Sequence, residues 1–306
     1  MKVYTDLDQF KKVINPVVTI GTFDGVHIGH RKIIQRIKEI AKKENGETVL
    51  FTFFPHPRMI LHPEDNNVKL ITTQEEKIEL LANESIDHLI IHPFTPEFSN
   101  LSSLEFIRNI LVDKIGTKKL VIGYNHHFGK NREGSFKHLK EFSDVYGFEV
   151  EEIPAQDIDS VSISSTKIRR ALLEGDVETA NLYLGHYYQL SGEVVEGDKL
   201  GREIGFPTAN ILVREKYKLI PANGVYAVDV AHEGERYKGM LNIGIRPTVN
   251  NNHKAIEVNI FNFDKNIYGK RISVFFKKRI RDEKKFENLN ALRNQLIKDK
   301  QKAITL

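Results

Sequence analysis

The sequence predicts two architectures in series: a parallel β-sheet covered by helices over residues 1–185, then a small antiparallel β-barrel with one terminal helix over residues 186–306. Three observations carry this expectation. Over the first part, short apolar runs alternate with amphipathic segments, the pattern of parallel strands joined by helical crossovers. Near Tyr187 the rhythm changes to closely spaced strands separated by Gly, Asn and Asp turns. Helical spacing then returns only in "NLNALRNQLIKDKQKAI" at the end, and strands at regular spacing with one helix fit a small barrel.

The first strand is read at 17–20, and others at 48–54, 88–94, 120–124 and 148–153, all rich in β-branched and aromatic residues. Between the first two, Ile33, Ile34, Ile37, Ile40 and Ala41 fall at helical spacing, and the helix is expected to stop at Asn45-Gly46. Thr73 with Glu76, and Ser102 with Glu105, have the spacing of capping boxes that open two further helices. In the second part, the strands are "YQLSGEVVEGD", "GVYAVDVA", "RYKGMLNIG", "AIEVNIFNF" and "RISVFFKKRI". The boundary is placed between Leu184 and Gln189, in a join without linker composition.

With 306 residues, 40% hydrophobic and 28% charged, the chain is comfortable for two domains of an ordinary globular protein. No apolar run reaches the roughly 20 residues that span a bilayer, so no membrane association is expected. The first residues lack the apolar stretch of a signal peptide. There is no cysteine, which excludes disulfides and thiolate metal sites and suits the cytoplasm. The 45 basic and 41 acidic residues give a net charge of +4, suitable for anionic ligands but too mild to point to nucleic acid.

Chemistry is concentrated in a few places. "VVTIGTFDGVHIGHRKII" crowds Gly21, Gly25, His27, Gly29 and His30 between a strand and a helix, where parallel sheets bind ligands. Glycines let backbone N–H groups approach an anion, the helix N-terminus adds its positive end, and imidazoles can donate to phosphate oxygens. Read alone, it is equally an ordinary tight turn with capping histidines. "SISSTKIRRALLEGD" sets Ser164, Ser165 and Thr166 at a helix mouth, with Lys167 and Arg169 in its first turns. Cations there oppose the helix dipole, which makes sense beside a polyphosphate, although an N-cap with solvated cations gives the same pattern. Adjacent His126 and His127 would point to opposite faces of a strand and make a poor metal pair.

In the second part, "GDKLGREIGFPTANI" is a fixed loop that delivers the oxygen-bearing Thr208 and Asn210, the kind of ligand Mg²⁺ takes beside a nucleotide, or else a plain hairpin loop. In "AIEVNIFNF", Ile256, Val258 and Ile260 share one face while Glu257 and Asn259 share the other. Glu257 is either a solvated outer-face glutamate or a base for a hydroxyl that attacks phosphorus.

"GTFDGVHIGH" with "ISSTKIR" resembles the nucleotidylyltransferase superfamily, whose HxGH and ISSTxxR signatures hold ATP phosphates. With "FTFFPHP" and "VIGYNHHFGKNREG", residues 15 to 185 resemble the adenylyltransferase module of bacterial bifunctional riboflavin kinase/FAD synthetases. "GFPTANI", "GVYAV", "NIGIRPTV", "IEVNIFNF" and "YGKRISVFFKKRIRDEKKF" resemble the flavokinase barrel over 188 to 300. The resemblance implies a Rossmann-like nucleotidylyltransferase fold followed by a flavokinase-type barrel. It implies His27 and His30 at the transferred phosphate, with Gly21, Phe23, Asp24, Gly25, Ser165, Thr166 and Arg169 around ATP. Phe54, Asn125 and Phe128 would line the FMN site. In the barrel it implies Glu257 as base, Gly201, Gly205, Pro207, Thr208 and Asn210 at Mg-ATP, and Arg281 and Phe286 at the flavin.

The implied activities are phosphorylation of riboflavin by ATP to FMN, and transfer of AMP from ATP to FMN to give FAD and pyrophosphate. Both use Mg²⁺, with Mn²⁺ as the alternative. The expected partners are ATP, riboflavin and FMN, with no nucleic acid, in a monomer or weak homo-oligomer. Pantetheine-phosphate and glycerol-phosphate nucleotidyltransferases lack the barrel half. Aminoacyl-tRNA synthetases share a literal "HIGH", but no KMSKS-like loop follows it here. A non-catalytic flavin- or RNA-binding regulator is the rival of another class.

Overall fold

The computed structural model describes residues 1–65, 68–124, 126–154, 163–197, 200–248 and 251–306. Contacts divide the chain into two compact units: Met1–Val68 with Lys77–Ser164, and Lys69–Glu76 with Ser165–Leu306.

The first unit is built on a six-stranded sheet of β1 (Lys2–Tyr4), β2 (Val17–Ile20), β3 (Thr48–Phe53), β4 (His88–His92), β5 (Lys119–Gly123) and β6 (Glu149–Ile153). Its order is β1-β4-β3-β2-β5-β6 and every neighbouring pair is parallel. The five expected strands are present; β1 is an addition, a three-residue edge too short to show a pattern. Both faces of the sheet are covered, which is why its central strands read as continuous apolar runs. On one face Val18, Ile20, Val49, Phe51, Leu120 and Ile122 pack with Ile107, Ile110 and Leu111. On the other, Val17 and Val121 meet Ile37, Ile40 and Ala41 of the helix Ile28–Lys43, while Leu50 and Leu89 meet its Ile34. That helix stops where expected. Asn45 turns left-handed (φ 50°) and the Gly46 N–H donates to the Ala41 carbonyl at 2.8 Å. A side chain at 46 would strike the Asn15 carbonyl at 2.2 Å, so only glycine fits.

The second unit is a closed antiparallel barrel of β7 (Tyr188–Val195), β8 (Ala209–Leu212), β9 (Gly224–His232), β10 (Glu235–Thr248), β11 (Asn251–Ile260) and β12 (Arg271–Arg281). The order is β10-β11-β8-β7-β12-β9. All five expected strands are found. β8 is the addition, hidden in sequence behind the Gly/Pro loop before it. The fully buried rings of Tyr188, Phe276 and Tyr226 meet at centroid distances of 5.8 and 5.2 Å. The terminal helix Leu289–Thr305, capped by Asn288, lays Leu296 and Ala303 against Phe206, Ala227, Met240 and Phe261. Two helices that precede the barrel in sequence, Ser165–Glu174 and Val177–Leu184, pack within this unit, and Asn181 bonds to Phe276 and Tyr188 at 2.8 and 2.7 Å.

Segment Lys69–Glu76 belongs to the same unit: Leu70 exchanges backbone hydrogen bonds with Tyr217 and Leu219, and a buried ion pair ties in Glu76. The capping box expected at Thr73 and Glu76 is formed (2.9 and 3.1 Å), and the Glu76 carboxylate also accepts from Lys218 Nζ at 2.5 Å and the Ser191 N–H at 3.0 Å. Lys218 has its remaining two donors on the Ile71 and Gln189 carbonyls at 2.6 and 2.7 Å.

Candidate active sites

The turn after β2 assembles the first site. Phe23 and Val26 sit at positive φ (48° and 42°), costly for bulky residues and held because both are buried. Gly25, at φ 85°, supplies the left-handed step between them. The chain then delivers His27 as the N-cap of Ile28–Lys43, its Nδ1 accepting from the His30 N–H at 3.4 Å. One helical turn apart, the His27 and His30 rings stack at 3.6 Å between centroids and 16° between planes, with Phe23 against His30 at 4.9 Å. His30 Nδ1 is buried without a hydrogen-bond partner among the described residues. Burial, then the neighbouring His27 and Lys77, hold the His30 imidazole well below its ordinary value, so it is neutral near pH 7. Asp24 is buried in the same turn, and the Cβ of a residue at 21 would press on the Phe23 ring at 3.1 Å.

Lys77, which sequence reasoning missed, completes this constellation. Its Nζ donates to the Thr22 carbonyl and to Thr52 Oγ1, each at 3.3 Å. It is 6% exposed, and burial lowers it to about 8 against the opposing pull of Asp24. The signal was available: Lys77 lies one turn before the fully buried Leu81 and so shares its face.

The other residues named for this half lie on several elements. Phe128 lies in a chain of aromatic rings, 6.1 Å from His126 and 5.4 Å from Phe106, which contacts Phe98 and Phe51. Phe54 packs against the hydrophobic group that holds Phe23 and Leu50. Asn125 lies outside the described residues. Ser165 opens the helix Ser165–Glu174 in the second unit, with Thr166 exposed and Arg169 half-buried. His126 and His127 lie beyond the end of β5 rather than on a strand. Burial, helped by His127 and Arg132, holds His126 at about 4.

The barrel carries the second site, a cavity of about 380 Å³ that Thr208, Asn210, Glu257, Arg281 and Phe286 all line. β11 pairs with β10 and β8 so that Glu257 lies opposite Asn242 and opposite Asn210. The expected alternation holds: Glu257 and Asn259 share the face of Met240 and Asn242, and the terminal helix covers that face, so it is not a bare outer surface. Thr208 Oγ1 donates to Glu257 at 3.4 Å. The loop that delivers Thr208 is fixed at several points. Gly205 takes φ 82°, the Pro207 carbonyl accepts from Asn259 Nδ2 at 2.6 Å, and a Cβ on Gly201 would meet the Phe206 carbonyl at 2.3 Å. Backbone at Gly197 lies so close to the Asn210 amide that a Cβ would approach it to 2.1 Å.

Arg281 lines the cavity, yet its guanidinium is already engaged. Nε and Nη2 donate to Asp299 of the terminal helix at 2.9 and 2.8 Å, Nη1 donates to the Asp282 carbonyl at 2.9 Å, and Phe286 lies 5.7 Å away. Asp299 is wholly buried and also accepts from Gln295 at 2.9 Å. Asp299, Asn242 and Glu283 are thus further cavity or support residues that pattern alone did not single out, while Asn259, read from the alternation on the Glu257 face, lines the cavity too. Among the described residues, no group of three or more His, Cys, Asp or Glu is placed to hold a metal ion. The cavity instead offers hydroxyl, amide and carboxylate oxygens, which suit Mg²⁺ sharing its shell with phosphate and water.

Comparison with known proteins gives two family matches in series: FAD synthetase over residues 10–167 and riboflavin kinase over residues 184–306. Proteins named bifunctional riboflavin kinase/FMN adenylyltransferase match over nearly the whole length. That of Buchnera aphidicola (subsp. Schizaphis graminum) is 40% identical over 98% of this chain and 96% of its own. That of Listeria monocytogenes is 42% identical over 94% and 91%, and that of Escherichia coli K12 38% over 92% and 90%. A crystal structure described as a macrolide-efflux protein from Streptococcus pneumoniae superposes with a TM-score of 0.91 at 31% identity, covering 100% of this chain and 99% of that one. Among the described residues, no helix is long and apolar enough to cross a membrane.

Proposed function

The chain belongs to the bifunctional riboflavin kinase/FMN adenylyltransferase family, and from that premise we propose that residues 186–306 phosphorylate riboflavin and residues 1–185 adenylylate the FMN so formed. The observation that carries the kinase half is Glu257, whose carboxylate shares a cavity and a hydrogen bond with Thr208, opposite Asn210. Glu257 takes the proton of the riboflavin 5′-hydroxyl as its oxygen bonds to the γ-phosphorus of ATP and ADP departs. Thr208 and Asn210 would hold Mg²⁺, which would supply neutralisation of the phosphate charge. Gly201, Gly205 and Pro207 keep the loop backbone open to the nucleotide, while Arg281 and Phe286 form the flavin side of the cavity.

In the adenylyl half, a phosphate oxygen of FMN bonds to the α-phosphorus of ATP and pyrophosphate leaves. His27 and His30 stabilise the charge that develops on the transferred phosphate. A neutral His30 does this by donating an N–H rather than by giving up a proton. Gly21, Phe23, Asp24 and Gly25 shape the anion-binding turn, and Ser165, Thr166 and Arg169 bind ATP phosphates. Phe54, Asn125 and Phe128 contact the flavin.

The basic run near the end of β12 supports small-molecule work over RNA binding. Lys277, Lys278, Arg279 and Arg281 are each paired, at 3.2, 2.9, 2.9 and 2.8 Å, with Asp229, Glu178, Asp282 and Asp299. The protein acts in the cytoplasm as a monomer or weak homo-oligomer. The test is to incubate the protein with riboflavin, ATP and Mg²⁺ and separate the flavins by chromatography. FMN followed by FAD is expected; no conversion of either oxidised or reduced riboflavin refutes the reading.

A further inference from the structure

Lys77 is buried and makes no close ion pair, although Asp24 pulls on it from a distance. No carboxylate lies within 4.0 Å of its Nζ among the described residues, and its two hydrogen bonds go to a neutral carbonyl and a neutral hydroxyl. A buried ammonium left in that state is costly, and proteins seldom keep one unless it is used. The buried Nδ1 of His30 lies in the same constellation. A buried imidazole nitrogen without a partner and an ammonium held only by two neutral oxygens lie around a turn of positive-φ residues, a cradle suited to an anion.

We propose that Lys77 is a third ATP-binding group of the adenylyl-transfer site, its ammonium receiving the polyphosphate beside the His27–His30 pair. The proposal rests on assigning adenylyl transfer to this turn. The titratable and charged groups facing Lys77 are Asp24 from the turn and His30 from the helix, with His27 stacked on His30. Burial holds His30 neutral above pH 7, while the lysine changes charge in that range. A bound polyphosphate favours the protonated amine, and ATP affinity falls as pH rises past the free-enzyme value of about 8.

The experiment is FAD formation from supplied FMN by the full chain, with KM for ATP and for FMN measured from pH 7 to pH 9. Wild type, Lys77→Arg, Lys77→Met and His30→Ala are compared, and riboflavin phosphorylation is followed in parallel. In the wild type, KM for ATP is expected to rise about tenfold between pH 7 and pH 9 while KM for FMN stays level. Lys77→Arg removes the pH dependence, because its guanidinium stays charged. Lys77→Met raises KM for ATP about tenfold or more already at pH 7 and leaves riboflavin phosphorylation unchanged. A lysine that merely ties Thr22 to Thr52 would instead move kcat, or both KM values together. A flat wild-type profile, or an unaltered KM for ATP in Lys77→Met alongside an inactive His30→Ala, overturns the lysine's role. Full FAD formation by His30→Ala overturns the site assignment itself. Should Lys77→Met fail to fold, the wild-type and Lys77→Arg profiles decide.

Discussion

Lys218→Met is the substitution with the largest effect that the structure lets one work out. The side chain is 1% exposed, and its three donors are spent on Glu76, the Ile71 carbonyl and the Gln189 carbonyl, with the Tyr188 ring 4.4 Å away. Methionine matches the bulk but none of the donors. It leaves Glu76, wholly buried, with only the backbone bonds from Thr73 and Ser191. Breaking a buried pair on one side costs about 3–5 kcal/mol, because a charge stays behind without compensation. At roughly 2–4 °C per kcal/mol, the melting transition of the barrel-containing unit falls by about 10 °C. The assay is thermal unfolding of the full chain by near-ultraviolet circular dichroism, beside Glu76→Gln and the double variant. The double variant should recover part of the loss, since no buried charge remains. A drop under about 2 °C in Lys218→Met, or a double variant whose loss equals the sum of the singles, would refute the argument that the buried charge dominates.

His126 sets the acid stability of the sheet unit. Its folded value of about 4 lies below the ordinary 6.5, so the unfolded chain binds the proton first. The stabilisation is present above pH 6.5 and is lost as pH falls toward 4, by roughly 3 kcal/mol in total. Melting curves between pH 7 and 4 should show this slope, and His126→Phe should flatten it. Gly197→Ala forces the Asn210 amide away from a contact of 2.1 Å, and a rise in KM for ATP in riboflavin phosphorylation, with FAD formation from FMN unchanged, is the expected readout. Asp299→Asn weakens a charge-assisted clamp worth about 1.5–3 kcal/mol and frees Arg281, so KM for riboflavin should rise more than kcat falls, as steady-state kinetics will show.

Much of this molecule is legible in its sequence, for reasons that can be named. β2 to β5 are parallel strands buried on both faces, and that burial writes continuous apolar runs. β11 writes strict alternation instead, because one face fills the barrel while the other meets the cavity and the terminal helix. β1 has three residues, two of them exposed, and leaves no periodic trace. β8 follows a loop whose Gly and Pro residues mask its start. The buried cations were the harder reading. Lys77 and Lys218 sit in the polar runs "TTQEEKIEL" and "VREKYKLI", where lysine ordinarily marks solvent, and only long-range contacts bury them. Arg281 shows the converse. Its position on the cavity was legible, but its bidentate partner lies 18 residues away on another element and no local pattern announces it.

The most direct test of the two-site account is one set of flavin chromatograms: Glu257→Gln and His30→Ala, each given riboflavin with ATP and Mg²⁺, and each given FMN with ATP and Mg²⁺. Loss of a general base costs about 10²–10⁴-fold. The account predicts that Glu257→Gln makes almost no FMN yet converts supplied FMN to FAD at the wild-type rate. It predicts that His30→Ala accumulates FMN from riboflavin and makes almost no FAD from either substrate. Equal loss of both steps in either variant would contradict it.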